Sequence, residues 1–401
     1  MWSERSGVAN AVVVGAFVAA LAGVAVLAWA AASPAPDDEP PVIEAITNDH
    51  FVYLLGPNEI AVIDPESRET VHTIATGSNP EVVLAPDGSA VYLTDGSGDD
   101  EMLSVIDSRD WQVVAQIPSP DRTFAIGGVP SGMAVSADGR YVYIHKRKIL
   151  EGQHMGANES QSSSDHWWDV FDTATQEFSD SPPHVPDCGV AQIIPPLNGS
   201  SSLAVLCYHL ADLVFVDRQS GEVTEVITSR DSTIGNICAR GDTSVAAAVQ
   251  APEGMIYLVT TEGCVRVIDP VAMAVTDAFA LDIPADRRIL YSMVALSPSG
   301  ERLLLGIVPG VSSEDQGAEA WVIDVESQSL LSTFPLEPNA SSLAVSPDGS
   351  LLYVVGLEAN HGEPAAAPVG HLAAYDIATG EQAWRMTPLN APEVVLVAPR
   401  P

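Results

Sequence analysis

The residues with chemistry to offer are few, and they fall into small groups. Nine histidines occur, and His145, His154, His166, His184, His209, His361 and His371 are the seven that the elements described below bring to one face. Imidazole ligates metals and moves protons near neutral pH, but none of the seven has ligand spacing such as H-x-x-x-H. Solvated loop histidines are the plainer alternative. Arg122, Arg230, Arg240, Arg287 and Arg288 form a second group, in a chain whose net charge is −36. Guanidinium matches the geometry of carboxylate and phosphate, so these arginines read either as a local anion site or as partners of neighbouring acids. Asp95, Ser97, Asp99 and Asp100 resemble a calcium loop but lack the distant bidentate Glu, which leaves an acidic solvated turn. No G-x-S-x-G, H-E-x-x-H, G-x-x-x-x-G-K or G-x-G-x-x-G occurs, so esterase-type, metalloprotease and nucleotide chemistry lose support. No metal and no cofactor are expected, and no catalytic residue is identified.

The elements that position these residues are repeated. A short apolar strand ending in Asp recurs at Asp64, Asp107, Asp172, Asp217, Asp269, Asp324 and Asp376. The mean spacing is 52 residues, and seven such units fill the chain beyond residue 40. The last full unit shows their order. Strand Ser342 to Ser346 leads into the turn Pro347-Asp348-Gly349, then come strands Leu351 to Val355, His371 to Asp376 and Glu381 to Met386. Gly88, Gly139, Gly300 and Gly349 supply the positive φ these turns need, and each closing Asp makes an Asx turn. Four short antiparallel strands per unit and seven units predict an all-β, seven-bladed β-propeller. The first unit lacks an inner strand. Glu393 to Val397 is the expected substitute, closing the ring, and Val42 to Ile46 is its competitor.

Residues 8 to 32 carry no charge, long enough to span a bilayer, with Arg5 before them and Asp37, Asp38 and Glu39 after. The expected order is a signal anchor or signal peptide over 1–32, a Pro- and acid-rich linker over 33–41 and the propeller over 42–401. An uncleaved anchor puts the propeller outside the cytoplasm on a single-pass helix, and a cleaved one makes it periplasmic or secreted. The acidic balance, 53 Asp and Glu against 17 Lys and Arg, repels polyanions, so nucleic acid is excluded as a partner. Membrane contact is expected through the N-terminal helix only.

Four cysteines, Cys188, Cys207, Cys238 and Cys264, have no C-x-x-C pair among them. In an exported chain they read as two disulfides, with free buried thiols the alternative. Cys188 opens an inner strand and Cys207 ends the strand beside it, which favours 188–207 and leaves 238–264.

Val91-Tyr92-Leu93-Thr94, Asp172-Thr173-Ala174-Thr175 and Ser346-Pro347-Asp348-Gly349 make the chain resemble the YVTN family of seven-bladed propellers over about 350 residues. That resemblance implies a fold and little about activity. Val185-Pro186-Asp187-Cys188, followed by Cys207, is locally similar to the heavy chain of quinoprotein amine dehydrogenases. The resemblance implies a redox subunit whose cofactor sits on a separate light chain.

Antiparallel blades put the connections between strands two and three, and those between blades, at one end. All the long insertions fall there, and loop length concentrated on one face marks the working surface. The ligand-binding residues expected at that channel mouth are Arg122, Arg230, Arg240, Arg287, Arg288, His145, His166, His184 and His209. The function expected is a binding or scaffolding module for a partner protein or small ligand. The alternative is a propeller enzyme or enzyme subunit, resembling the amine dehydrogenase heavy chain or a lactonase, whose acid–base residues carry no local motif.

Overall fold

The computed structural model describes residues 49–77, 80–95, 102–118, 132–149, 164–179, 184–185, 190–195, 202–207, 212–218, 220, 222–228, 245–310, 317–358, 369–387, 392 and 394–401. The expected anchor, linker and competing strand 42–46 lie outside these residues. The described chain forms seven antiparallel sheets, each built on four strands, and in six of them the four strands are consecutive in the chain. These are the blades of a seven-bladed β-propeller. Blades two to seven occupy residues 81–118, 133–178, 190–227, 245–280, 287–336 and 340–386. Blade three carries an additional two-residue strand, His184–Val185, paired to its third strand.

Blade one is assembled from both ends of the described chain. Its strands two to four are His50–Leu55, Glu59–Asp64 and Glu69–Ala75, and its innermost strand is Val394–Pro399. The joining register runs from His50 opposite Pro399 to Leu55 opposite Val394. Innermost strands of successive blades touch in order, and that of blade seven touches Val394–Pro399, so the ring is continuous.

The alternation of side chains explains why the inner strands read as unbroken apolar runs. In His50–Leu55, Val52 and Leu54 pack toward Tyr353 and Val355 of blade seven, while Tyr53 packs toward Val82 and Leu93 of blade two. Both faces are covered, so a polar-facing half of the pattern has no place. The outermost strands have one free edge and expose apolar side chains, such as Val113 and Val114 in blade two and Leu330 and Leu331 in blade six.

One end of the ring consists of short, self-satisfied turns. Each repeated Asp accepts a backbone N–H from two or three residues on: Glu66 to Asp64, Arg109 to Asp107, Ala174 to Asp172, Ser220 to Asp217, Val271 to Asp269, Ser327 to Asp324 and Thr379 to Asp376. In the turns between strands one and two, Ser136 and Ser346 donate to Asp138 and Asp348 and accept the N–H of Tyr141 and Leu351. The Ser hydroxyl beside Asp138 and Asp87 holds each carboxyl below its ordinary range.

The turn glycines also form a chain of contacts around this end. A Cβ on Gly139 would lie 3.8 Å from Pro86, one on Gly349 3.5 Å from Pro298 and one on Gly300 3.2 Å from Pro252. Each glycine thus rests on the turn proline of the preceding blade. Blade one has no such turn, and Gly88 of blade two meets Pro399 instead. The closing strand supplies the proline that the split blade lacks.

Two alanine substitutions separate these effects. Gly139 has φ +70° and room for a Cβ, so Gly139→Ala carries left-handed strain alone, about 1–2 kcal/mol. At Gly88, with φ +73°, the new Cβ would sit 1.9 Å from the Pro399 carbonyl oxygen, which side-chain motion cannot relieve. Urea unfolding is expected to give Gly88→Ala at least twice the loss of Gly139→Ala, or no folded protein. Equal losses would show that Pro399 is not held against this turn.

Candidate functional site

The end opposite the turns carries the connections between strands two and three and between blades. Between strands two and three the chain needs residues 56–58 in blade one and 261–263 in blade five, but 150–163 in blade three and 359–368 in blade seven. Length varies at this mouth end and hardly at all at the turn end.

Among the described residues, blade three brings three buried polar groups, His145, Lys146 and Asp169, toward the mouth. Its second and third strands, Tyr141–Ile149 and Ser164–Asp172, form a long hairpin with His145 opposite Trp168 and Lys146 opposite Trp167. Alternation sends the two faces of this hairpin into different seams. Ile144 and Phe171 pack toward Tyr92 and Leu103 of blade two. Lys146 and Asp169 share that parity and are 1% and 3% exposed. Across the seam, Glu81 and Thr94 stand opposite each other on blade two, and the Thr94 hydroxyl donates to Met133 Sδ of blade three. A Cβ on Gly132 would lie 2.1 Å from a Glu81 carboxylate oxygen, so the carboxylate lies flat on the backbone where blade three begins. One ammonium and two carboxylates therefore converge on the mouth end of a single seam. Burying such charges is costly, and the cost is tolerated where they compensate one another.

The other face of the hairpin serves the next seam. Tyr143 and Trp168 pack with Leu203, Val205 and Cys207 of blade four. His145 is 2% exposed, its ring centroid 6.5 Å from that of Trp168. It is a core histidine at a blade seam. His371 is as deeply buried at the start of the third strand of blade seven, where a Cβ on Gly356 would meet its ring at 2.5 Å. Glycine makes the slot for that imidazole.

Of the expected arginines, Arg287 is bound to its own blade. Its Nη1 lies 3.2 Å from Glu319 Oε1 and donates to the Gly317 carbonyl at 3.3 Å. Arg288, the next residue, is exposed. Arg122, Arg230, Arg240, His154, His209, His361, Cys188 and Cys238 lie outside the described residues, as do Ser97, Asp99 and Asp100. His166 and His184 are placed as backbone, opposite Val185 and Trp167, which sets them on adjacent rungs of one ladder. Neither Cys207 nor Cys264 is a free thiol. Among the described residues no group of three or more His, Cys, Asp or Glu side chains is arranged to hold a metal ion.

Sequence reasoning missed Glu81, Lys146, Asp169 and Arg266. Arg266, 7% exposed in the third strand of blade five, donates to the Thr228 carbonyl at the end of blade four. The available signal for Lys146 was its rarity, since the chain has only two lysines, Lys146 and Lys148.

No family model matches the chain, and no curated protein matches it. Solved structures do. The dihydro-heme d1 dehydrogenase NirN, solved in complex with DHE, is similar at TM-score 0.51 and 16% identity, over 91% of this chain and 78% of that one. A functionally unknown protein from Desulfotomaculum acetoxidans DSM 771 is similar at TM-score 0.56 and 12% identity, over 87% of this chain and 98% of that one. At such identities the likeness is one of fold.

The buried charges make Lys146 the informative substitution. Lys146→Met keeps the length of the stem and removes a buried ammonium from a seam that retains Glu81 and Asp169. The expected loss in urea unfolding is about 3 kcal/mol or more. A loss below about 1 kcal/mol would mean that the lysine balances no buried carboxylate.

Proposed function

We propose that the chain is an exported, membrane-tethered binding or scaffolding propeller that presents its mouth end to a partner protein or small ligand. The observation that carries this reading is the contrast between the two ends. At the turn end, the short Asp and Gly turns satisfy their own hydrogen bonds and are nearly equal in length. At the mouth, connections grow to the 14 residues of 150–163, above a seam that holds Glu81, Lys146 and Asp169. The uncharged stretch over 8–32 supplies the proposed tether. The exposed Arg288 and the expected Arg122, Arg230 and Arg240 are the residues proposed to meet an anionic group.

The second reading is a propeller enzyme or enzyme subunit, resembling the amine dehydrogenase heavy chain or a lactonase. It is favoured by the fold likeness to a protein named as a dehydrogenase and solved with a ligand, and by the local likeness around Cys188 and Cys207. Purified protein assayed for amine-dependent dye reduction and for lactone hydrolysis separates the two. The binding reading expects no turnover in either assay, and capture of a partner that is lost when residues 150–163 are replaced by a three-residue turn. Turnover abolished by His184→Ala at unchanged melting temperature would overturn it.

The proposed cysteine pairing is 188–207 and 238–264. Peptide mapping without reductant is expected to recover those two cross-linked peptides, and a peptide joining 188 to 264 would refute the assignment.

A further inference from the structure

The seam where the ring closes contains a buried histidine that no binding or catalytic role uses. His50 stands at the first rung of the closing ladder, opposite Pro399, and is 2% exposed. Its Nε2 is hydrogen-bonded to the Tyr353 hydroxyl of blade seven at 2.8 Å, and the two rings meet edge to face. The backbone carbonyl of the same residue accepts a hydrogen bond from Arg400 Nε at 3.4 Å. Arg400 in turn pairs with Asp64 at 2.7 Å and lies over the Phe51 ring at 4.6 Å. One residue, His50, therefore touches blade seven through its imidazole and the end of the closing strand through its backbone carbonyl.

We infer that His50 makes ring closure sensitive to protonation: the neutral imidazole keeps blade one latched to blade seven, and the imidazolium loosens Val394–Pro399 from its neighbours. The charged groups facing the imidazole are Asp348 from the turn of blade seven, Asp49 and Asp64 from blade one and Arg400 from the closing strand. The carboxylates favour the imidazolium and Arg400 opposes it. Burial outweighs them all and holds the group below its ordinary value of 6.5. The sign follows from linkage. An open seam hydrates His50 and returns it to its ordinary affinity for protons, so the open form binds more protons than the closed one. Closure is then fully favoured above about pH 6.5 and weakens as pH falls through the closed-state value. Tyr353 cannot compensate, since burial raises its phenol and keeps it neutral.

Blade five is the internal control. The innermost strand of blade five, Val245–Gln250, is continuous in sequence with the rest of its blade, and no histidine occurs between residues 245 and 336. An acid-driven change should therefore appear at the seam between blades seven and one and not at that of blade five.

Hydrogen exchange with mass spectrometry on the full-length protein reads this directly. After correction for intrinsic rates, opening of 394–400 is expected to rise from pH 7.5 to pH 5.5, by no more than about tenfold, the ceiling set by an open-state value of about 6.5. Val245–Gln250 should be unchanged, and His50→Gln should flatten the response of 394–400. The slow exchange of the His50 Cε1 proton, followed against pH in the unsubstituted protein, reads the latch even where His50→Gln does not fold, and its midpoint is expected below 6.5. A midpoint at or above 6.5, a response shared by blade five, or a response that survives His50→Gln would each overturn the inference.

Discussion

Everything in this structure depends on six residues from one end of the chain pairing with six from the other. Val394–Pro399 and His50–Leu55 form the only sheet contact in the described ring that joins strands over 300 residues apart. Every other blade is made of consecutive strands, each closed by a local turn. Without the terminal strand, blade one would expose an edge, and the seam to blade seven would lose Val395 from its apolar cluster. The sequence separation makes this pairing the costliest to form in conformational entropy. The reinforcements at blade one fit that cost.

Those reinforcements come from both neighbours. Trp111, at φ 62° in a turn of blade two, stacks on His72 and meets Phe51 and Tyr53 of blade one edge to face. Blade seven contributes Tyr353, and the Ser342 hydroxyl accepts the N–H of Val395. Arg400 ties the end of the strand to Asp64, one of the repeated turn aspartates. A group that caps a turn in other blades thus doubles here as an anchor for the closing strand. Charge-assisted bonds of this kind gain strength because they are half-buried.

The fold was legible in the sequence because its determinants are local. Asp at the end of strand three, Gly in the turn after strand one and the spacing between them can all be read without knowing what lies across a seam. The closing strand was legible too, through the missing inner strand of the first unit. The candidate site was less so. Arg287 reads as an exposed cation until Glu319 is placed 3.2 Å away, and only the register of three strands does that. Lys146 and Asp169 lie 23 positions apart, with an insertion of variable length between them. Their common seam follows from alternation within a paired hairpin, not from any spacing. His145 and His371 are buried rather than solvated for the same reason: each is covered by a partner from another strand.

The two ends of the ring divide stability from variation. At the turn end, glycine on proline and carboxylate on backbone N–H keep the turns short, since a longer turn at Gly88, Gly139, Gly300 or Gly349 would disturb the contact with the neighbouring blade. At the mouth, the connections between strands two and three already differ in length from blade to blade. Loop-closure entropy adds about 0.6 kcal/mol per doubling, so growth from the three residues of 56–58 to the 14 of 150–163 costs about 1–1.5 kcal/mol. That is small against a ring in which each buried Leu, Ile or Val side chain contributes about 1.5–3 kcal/mol. The closing ladder and the turn contacts can therefore stay fixed while the mouth changes in length and charge. Lys146 and Asp169 stand where these regimes meet, buried in the seam at the mouth end of their hairpin.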